Sequence, residues 1–502
     1  MKHSLTYLLT ELALYAQKNG LLRKEDETFV MNAWLALMHA SELTEERAAS
    51  ARTLEPILSD LCDLAAEMGV IDAESNTERE LLDTALMGVL TPRPSEVIDR
   101  FYKLYKEDPA AATSDFYRMQ GLVNYIRTER VARDLKWQAE SPYGVMDITI
   151  NLSKPEKDPK AIAAARKAKA SGYPKCLLCH ECEGFAGDMT RPARQNLRQI
   201  PLEMAGKAWY LQYSPYVYYN EHCIALSAAH EPMRIDRQSF EKALDFVTVF
   251  PHYFIGQNAD LPIVGGSILS HDHMQGGAYT FAMAKASIKK EISFAGFDGV
   301  RAGIVHWPMS VIRLESEKKE DLVRLADKIL AVWREYSDES AQILSHSGAE
   351  PHNTVTPIAR RVGEAFQLDI VLRNNRTTEE HPLGLFHPHA ELHNIKKENI
   401  GLIEVMGLAV LPARLKTEME AVADALTQGV DLALSEATAK HKDWVLRFVD
   451  SYEITKENVK EILFAEIGKT FVRVLEDAGV YKNTDAGDAA FLRFVDAVNA
   501  NK

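Results

Sequence analysis

The spacing of apolar residues changes twice along this chain of 502 residues, and these changes limit the folds that it can adopt. Before about residue 140 and after about residue 415, apolar residues recur every three or four positions, which is typical of amphipathic helices. Between these regions, short apolar or alternating segments indicate strands. They are residues 145–152, 209–213, 223–226, 304–314, 368–372 and 402–411. The sequence therefore predicts an α+β fold whose mixed centre carries helical N-terminal and C-terminal extensions.

The net charge of the chain is −14, from 58 basic and 72 acidic residues, which argues against general binding to nucleic acid or to an anionic membrane surface. No apolar run reaches the roughly 18 residues of a membrane span. The apolar N-terminal segment is interrupted by Glu11 and lacks the small-residue cleavage site of a signal peptide. We therefore expect a cytoplasmic protein that binds neither nucleic acid nor membrane, although a local basic pocket for a phosphate group is compatible with this charge.

Three of the five cysteines, Cys176, Cys179 and Cys182, lie within seven residues. An odd number of cysteines, three of them this close together, makes a poor disulfide framework, whereas thiolates at C-x2-C spacing are typical zinc ligands. A C-x2-C pair is expected by chance only about 0.05 times at this cysteine content, so the spacing is informative. The sequence predicts a metal site here. Two alternatives stay open: buried thiols without a metal, and a ligand set that includes Cys182 or His180.

One histidine-rich segment, His271-Asp-His273-Met-Gln275, lies in the central part of the chain, where 13 of the 16 histidines occur. In an extended segment, side chains two positions apart share a face, so the two imidazoles and the amide are predicted to project together. A neutral imidazole can attack phosphorus when its other nitrogen is held by an acceptor. The spacing alone is a weak signal, because H-x-H is expected by chance about half a time in this chain, and two packed histidines without chemistry are the alternative.

A glycine-rich turn precedes this segment and favours its interpretation as a phosphate site. Glycines allow a close approach of the backbone, whose N–H groups bind anionic oxygens. The turn and the polar residue before it are Gly265, Gly266, Ser267 and Asn258. Together with the imidazoles and the amide, they predict a site that binds a phosphate group.

The arrangement N…G-G-S…H-x-H-x-Q resembles the histidine-triad superfamily of nucleotidylyl transferases and hydrolases, in which glutamine at the third position marks the transferase branch. Within that branch, three longer segments are similar to the galactose-1-phosphate uridylyltransferase family, in the class II variant common in Gram-positive bacteria. They read SPYVYYNEHCIALSAAHEPM, VGGSILSHDHMQGG and FHPHAELHNIKKENIGLIEVMG. The resemblance covers roughly residues 140–415, and the helical ends are also similar to that variant.

This resemblance implies a ping-pong transfer of a uridylyl group through a covalent intermediate on His273. UDP-glucose would donate the group and release glucose 1-phosphate, and galactose 1-phosphate would accept it to give UDP-galactose. Gln275 would donate a hydrogen bond to a non-bridging phosphoryl oxygen. The other substrate contacts implied by position are Asn258, Gly265, Gly266, Ser267, Ser214, Pro215, Tyr216 and, for a sugar hydroxyl, Glu404. The family also implies a homodimer.

The resemblance further implies a structural zinc. Its four ligands would be Cys176, Cys179, His230 and His271. Two thiolates and two imidazoles suit a closed tetrahedral zinc, which would brace the segment that carries His273. A second metal is implied near His387 and His389, with His352, but the family's glutamate ligand has no clear match after Gln275.

The second H-x-H, His387-Pro-His389, suggests an internal duplication of a histidine-triad-like unit. We predict a helical N-terminal extension (1–140), a first half with the nucleophile and the C-x2-C site (141–317), a second half (318–415) and a helical C-terminal extension (416–502). Glu391 stands where the first copy has Gln275, and an anionic side chain there would repel a phosphate. Two rival functions stay open: a dinucleoside-polyphosphate phosphorylase or hydrolase on the same scaffold, and a non-catalytic zinc-organised binding protein.

Overall fold

The computed structural model describes residues 3–153, 172–266 and 268–501. The charged segment 154–169 and the predicted substrate residue Ser267 lie outside the described residues. The described chain has helices at both ends and a large antiparallel sheet in its centre, so the prediction of an α+β fold is confirmed.

Seven helices precede the first strand of the described chain and form the N-terminal extension. They are α1 Leu5–Lys18, α2 Glu27–Leu37, α3 Leu54–Glu67, α4 Asn76–Leu90, α5 Pro94–Tyr105, α6 Pro109–Leu122 and α7 Thr128–Val131. Helices α1 to α4 enclose a hydrophobic core of their own, which includes Leu9, Trp34 and Leu61. Helices α5 and α6 instead contribute Phe101 and Phe116 to the core of the large sheet. The N-terminal extension is therefore divided between two cores.

The strands of the described chain form one large sheet and two small ones. The strands are β1 Leu135–Ala139, β2 Met146–Ile150, β3 Ile200–Met204, β4 Lys207–Tyr213, β5 Cys223–Ser227, β6 Phe254–Gly256, β7 His273–Gly277, β8 Ile288–Ile292, β9 Arg301–Val305, β10 Val311–Ser316, β11 His346–Ser347, β12 Glu350–Pro351, β13 Asn353–Val362, β14 Ala365–Asn374 and β15 Leu408–Leu411. Among the described residues, the large sheet has ten strands in the order β3-β4-β5-β7-β6-β13-β14-β10-β9-β8, and all neighbours are antiparallel. Strands β11 and β12 form a separate pair.

The large sheet consists of two topologically equivalent halves. In the first half, β3, β4 and β5 are followed by helix α8 (Arg237–Val249) and then by β6 and β7, with β7 returning beside β5. After the short helix α9 (Ala282–Lys285), the second half repeats this order with β8, β9, β10, helix α10 (Lys319–Glu335), β13 and β14. Strands β6 and β13 pair at the centre, and α8 packs against α10. This arrangement is the one that an internal duplication about a pseudo-two-fold axis produces.

The two halves divide the chain at a different point from the predicted boundary at 317/318. Strands β8 to β10 precede that boundary, yet β10 pairs with β14, so the division falls between β7 and β8. The two H-x-H motifs are also not counterparts. His273 begins β7, whereas the equivalent strand β14 contains no histidine, and His387 and His389 lie in the loop after it. The motif alignment was wrong because the spacing of two histidines carries no information about strand order.

A small three-stranded sheet joins the region before β3 to the C-terminal extension. Strand β2 pairs antiparallel with β1 and parallel with β15, so the predicted strand at 145–152 lies outside the large sheet. The helices of this region are α11 Leu402–Val405, α12 Arg414–Gln428, α13 Glu436–Ala439, α14 Lys442–Leu446, α15 Val459–Ala478 and α16 Asp485–Ala500. Helices α12 and α15 share a core with the small sheet, and α16 packs against α10. None of the described helices is both long enough and apolar enough to cross a membrane.

Two predicted strands are interrupted in the structure. The segment 304–314 forms parts of β9 and β10, which are separated by a turn that contains Pro308, a residue without a backbone N–H to donate. The segment 402–411 begins as helix α11 and becomes a strand only at Leu408, after Gly407 adopts a φ of 103°. Short apolar runs do not by themselves distinguish a buried helix from a buried strand.

Strand β7 has one face in the helix-covered core and the other at the candidate site. Met274 belongs to the core that α8 and α10 form with the sheet. His273 and Gln275 are its neighbours along the strand and therefore project from the opposite face. His271 precedes the strand, so the predicted alternation applies to two of the three side chains.

Candidate active site

His273, at the start of β7, has the geometry of a nucleophile. Its Nδ1 lies 2.8 Å from the carbonyl oxygen of His271, so Nδ1–H donates there and the lone pair lies on Nε2. The residue is 7% exposed, and burial lowers the pKa of its imidazole, which keeps the ring neutral at pH 7. Its Nε2 has no hydrogen-bond partner within the described residues. A neutral imidazole with one oriented, free nitrogen is the form that nucleophilic attack requires.

Gln275 lies two residues further along β7 and contacts a histidine that the motif analysis did not identify. Gln275 Oε1 is 3.0 Å from Nε2 of His222, which immediately precedes β5. The two residues are brought together by the pairing of β5 with β7. This contact orients the amide of Gln275.

The glycine-rich turn packs closely against Asn258. The side-chain Oδ1 of Asn258 accepts the backbone N–H of Leu402 at 2.8 Å, which fixes the orientation of the amide. A Cβ at Gly266 would lie 2.8 Å from Asn258 Nδ2, and a Cβ at Gly265 would lie 2.5 Å from the carbonyl oxygen of Ala259. Both positions therefore require glycine for packing alone, and the structure brings Asn258, Gly265 and Gly266 together as one wall.

The turn formed by Ser214, Pro215 and Tyr216 connects β4 to β5 at the end of β7 that carries the glutamine. The Ser214 N–H donates to the carbonyl oxygen of His222 at 2.8 Å. Pro215 and Tyr216 line a cavity of about 150 Å³ together with the side chain of Arg194. Two of the predicted substrate contacts, Pro215 and Tyr216, thus lie beside a cavity that a cationic residue also lines.

Glu404, from the chain segment after the second half of the sheet, lies close to Asn258. A Cβ at Gly401 would be 3.3 Å from Asn258 Oδ1 and 3.4 Å from Glu404 Oε2, so the two polar side chains flank the same glycine. Glu404 is 8% exposed, and its Oε1 accepts from Lys396 Nζ at 2.9 Å. The segment after β14 therefore supplies polar groups beside Asn258, within one chain.

Four cysteine and histidine side chains converge immediately before β7. Their ligand atoms all lie within 4.8 Å of one another, and they belong to Cys176, Cys179, His230 and His271. Cys176 Sγ is 3.7 Å from Cys179 Sγ and 3.2 Å from His271 Nδ1, and Cys179 Sγ is 3.2 Å from His230 Nδ1. A regular tetrahedron with metal–sulfur bonds of about 2.3 Å has edges of about 3.8 Å, so the spacing suits a tetrahedral metal. His271 Nε2 also lies 2.8 Å from the carbonyl oxygen of Ser227, which directs its Nδ1 lone pair into the cluster.

The two alternative ligands, Cys182 and His180, do not join this cluster. Cys182 Sγ donates to the carbonyl oxygen of Cys176 at 3.3 Å. His180 Nδ1 is 2.6 Å from Gln199 Oε1, and its ring stacks on that of Tyr210. The structure thus places Cys182 and His180 outside the cluster, although both are close to its cysteines in the sequence.

The histidines proposed for a second metal do not converge. His387 Nδ1 lies 3.3 Å from the carbonyl oxygen of the following residue, and His389 Nε2 lies 3.1 Å from that of Leu385. Both ring nitrogens of His352 are hydrogen-bonded to other side chains. Across residues 3–153, 172–266 and 268–501, the cluster before β7 is the only one with metal-binding geometry.

Asp272, between the two histidines of the motif, forms a buried ion pair behind the candidate site. Its Oδ2 accepts from Lys242 Nζ on helix α8 at 2.6 Å, and its Oδ1 accepts from Gln257 Nε2 at 2.7 Å. The side chains of Asp272 and Lys242 are 8% and 5% exposed. This pair anchors the segment that carries His273 to helix α8.

Lys242→Met is expected to lower the free energy of unfolding by about 3–5 kcal/mol, because it leaves the carboxylate of Asp272 buried without a counter-charge. Chemical denaturation at neutral pH measures this change. The double variant Lys242→Met/Asp272→Asn should recover a large part of the loss, since it removes the unpaired charge. A single variant within 1 kcal/mol of the wild type would contradict a structural role for the pair.

His222 and Lys242 are the contacts that motif reasoning missed. Their partners are 53 and 30 residues away along the chain. The one local signal is a polar side chain among apolar neighbours, since Lys242 lies on the same helical stripe as the buried Ser239 and Phe246. Such a signal does not identify the partner.

Comparison with known proteins assigns the chain to a class. Residues 24–232 match the family model described as galactose-1-phosphate uridyl transferase, N-terminal domain, and residues 246–446 match the corresponding C-terminal domain. The two matches define a uridyl transferase built from two domains. More particularly, the chain belongs to the galactose-1-phosphate uridylyltransferase family.

Several relatives named galactose-1-phosphate uridylyltransferase match almost end to end. The protein from Fusobacterium nucleatum is 51% identical, with 98% of each chain covered, and that from Halalkalibacterium halodurans is 52% identical, with 99% of each covered. The protein from Bacillus subtilis is 49% identical over 98% of this chain and 97% of its own. Among solved structures, yeast Ap4A phosphorylase Apa2 aligns at 13% identity with a TM-score of 0.31, over 63% of this chain and 97% of that chain.

Proposed function

We propose that this chain transfers a uridylyl group from UDP-glucose to galactose 1-phosphate through a covalent intermediate on His273. The observation that carries the proposal is the 2.8 Å contact between His273 Nδ1 and the carbonyl oxygen of His271, because it leaves Nε2 as the only nucleophilic nitrogen of a buried, neutral ring. Membership of the uridylyltransferase family supplies the substrate class.

The reaction proceeds in two displacements at the α-phosphorus. His273 Nε2 attacks the α-phosphorus of UDP-glucose. The bond between this phosphorus and the bridging oxygen breaks, and glucose 1-phosphate leaves with the electron pair of that bond. A phosphate oxygen of galactose 1-phosphate then attacks the same phosphorus, and the P–N bond breaks to restore the neutral imidazole and give UDP-galactose. The leaving group is a sugar phosphate in the first displacement and the imidazole of His273 in the second. Both are good leaving groups, so the uridylyl-histidine is not much more stable than the substrates or the products.

The residues around His273 have complementary roles. Gln275 donates to a non-bridging oxygen of the transferred phosphoryl group, and the backbone of Gly265 and Gly266 lines the phosphates. The other contacts are Asn258, Ser267, Ser214, Pro215 and Tyr216 toward the nucleotide and phosphates, and Glu404 toward a hexose hydroxyl. Asn258 and Glu404 flank Gly401, which supports a hexose site between the glycine-rich turn and the segment after β14.

The cluster of Cys176, Cys179, His230 and His271 is proposed to bind one structural zinc. The donor set fits this metal, and so does the spacing of the ligand atoms, which is 3.2–3.8 Å for four of the pairs and within 4.8 Å for all of them. When bound, zinc supplies a rigid anchor for the segment before β7. His271 belongs to this anchor through its side chain and orients the nucleophile through its carbonyl oxygen.

The stereochemical course at the α-phosphorus tests the two displacements. Each in-line displacement inverts the configuration, so a substrate made chiral at that phosphorus with sulfur should give UDP-galactose with net retention. Net inversion would instead indicate direct transfer between the two sugar phosphates and would rule out the uridylyl-histidine.

Product analysis separates the proposal from the phosphorylase or hydrolase alternative. UDP-galactose should form only when galactose 1-phosphate is added, and inorganic phosphate or water should not replace it as acceptor. A homodimer stays a prediction from the resemblance, and sedimentation velocity on the full chain would test it.

A further inference from the structure

We infer that His222 is a positioning residue for Gln275: its imidazole fixes the glutamine amide so that the NH2 group is presented to the transferred phosphoryl group. This inference rests on the proposed function, because it concerns the side chain proposed to bind a phosphoryl oxygen. It adds a residue that lies outside the H-x-H-x-Q motif.

The position of His222 follows from strand register. Ile224 on β5 pairs directly with Gln275 on β7, and His222, two residues before Ile224, is the diagonal neighbour of Gln275 on the same face. His222 is 2% exposed, and its ring centroid lies 5.4 Å from that of Tyr218 and 4.5 Å from that of Tyr219. The imidazole is therefore confined by packing as well as by its hydrogen bond.

The protonation state of His222 decides which way the amide points. Burial lowers the pKa of His222 to about 4, so the ring is neutral and carries one N–H at pH 7. Its Nδ1 is buried and has no hydrogen-bond partner in the described part of the chain. A proton on Nδ1 would be an orphaned buried donor, which folded proteins rarely contain. The proton therefore lies on Nε2, which donates to Gln275 Oε1 at 3.0 Å.

This hydrogen bond determines what Gln275 offers to the substrate. With Oε1 directed at His222, the NH2 group of Gln275 is left without a partner among the described residues. An amide rotated by half a turn would set its NH2 against the N–H of His222 and present its oxygen to an anionic phosphoryl group. The imidazole thus excludes the repulsive orientation before substrate arrives, which is electrostatic preorganisation.

A matched pair of variants tests the contact. In His222→Gln, the amide nitrogen reaches about the position of Nε2 and keeps the donor, whereas in His222→Asn it lies near the position of Nδ1 and does not reach Gln275. The measurement is the single-turnover rate of uridylylation of the full-length, metal-loaded protein by UDP-glucose, with the KM determined in parallel.

Removing a fixed donor of this kind outright costs about 100- to 1000-fold in rate, whereas His222→Asn leaves the donor present and only releases its orientation. We therefore expect His222→Asn to lower the uridylylation rate by about 10- to 100-fold with KM for UDP-glucose almost unchanged, and His222→Gln to stay within about threefold of the wild type. In a Gln275→Ala background, His222→Asn should have no more than about a twofold effect, because the group that it positions is gone.

Three results would overturn the inference. One is an equal loss of rate in His222→Gln and His222→Asn while both melt like the wild type. Another is an undiminished effect of His222→Asn in the Gln275→Ala background. The third can be read without any variant: ¹⁵N NMR of the histidine side chains should show His222 neutral and protonated on Nε2 near neutral pH, and a proton on Nδ1 or an imidazolium would contradict the inference.

These measurements distinguish the inference from the proposed function. If the wild-type protein takes no uridylyl group from UDP-glucose, the proposed function fails, and the NMR tautomer still reports on the contact. If the wild type is uridylylated and the His222 variants behave alike, the proposed function stands and the positioning role is wrong.

Discussion

His273→Ala is expected to abolish the exchange of label between UDP-glucose and glucose 1-phosphate, by at least about 10⁴-fold, because this half-reaction requires only the covalent step. Within the described residues, the side chain makes one hydrogen bond, to a carbonyl oxygen two residues away, so the variant should melt close to the wild type. Exchange with labelled glucose 1-phosphate, measured without galactose 1-phosphate, gives the result directly.

His389→Ala is the matched control for this experiment. His389 also belongs to an H-x-H, but it lies in the loop after β14 and contacts the carbonyl oxygen of Leu385. We expect the exchange rate of the His389→Ala variant to be near that of the wild type. Near-normal exchange in His273→Ala would refute the mechanism, and a complete loss in His389→Ala with the fold and metal intact would place the active site elsewhere.

Cys179→Ser is expected to reduce bound zinc from one equivalent per chain to less than about one-fifth, because Cys179 Sγ lies close to three other ligand atoms of the cluster and a serine hydroxyl is a poor zinc ligand. Without the metal, the segment before β7 loses its anchor. A lower melting temperature and a slower exchange reaction should accompany the loss. Metal analysis of the purified protein and thermal melting give the two measurements.

Cys182→Ser is the control three residues away. Among the described residues, its sulfur makes one hydrogen bond, to the carbonyl oxygen of Cys176, and it is not part of the ligand cluster, so zinc content should stay at one equivalent. Wild-type protein with less than about one-fifth of an equivalent would show that the thiols are simply buried, and a larger zinc loss in Cys182→Ser than in Cys179→Ser would show that the ligand set is wrong.

The parts of the site that the sequence predicted are those encoded by short segments. The H-x-H-x-Q alternation determined that His273 and Gln275 share a face, because a strand has a period of two whatever its neighbours are. The C-x2-C spacing likewise identified Cys176 and Cys179, since both thiolates come from one tight turn. In these cases the local geometry of the chain is sufficient to predict which side chains lie close together.

The parts that were missed depend on pairing between distant segments. His222 contacts Gln275 only because β5 returns beside β7, and Lys242 reaches Asp272 only because helix α8 brings it there. The duplication was predicted from a second H-x-H, but the true counterpart of β7 is β14, whose sequence shares no motif with it. Strand order, not spacing, determines which residues correspond.

The pairing of β6 with β13 has a consequence for motion. Because these strands continue one hydrogen-bonded ladder across the centre of the sheet, and α8 packs on α10, we expect the two halves to move as one body. Substrate entry and product release must then be controlled by the loops above the sheet, chiefly 257–266 and 384–404. If release of a sugar nucleotide limits turnover, we expect the rate to respond to substitutions in these loops and to be insensitive to changes along the central ladder.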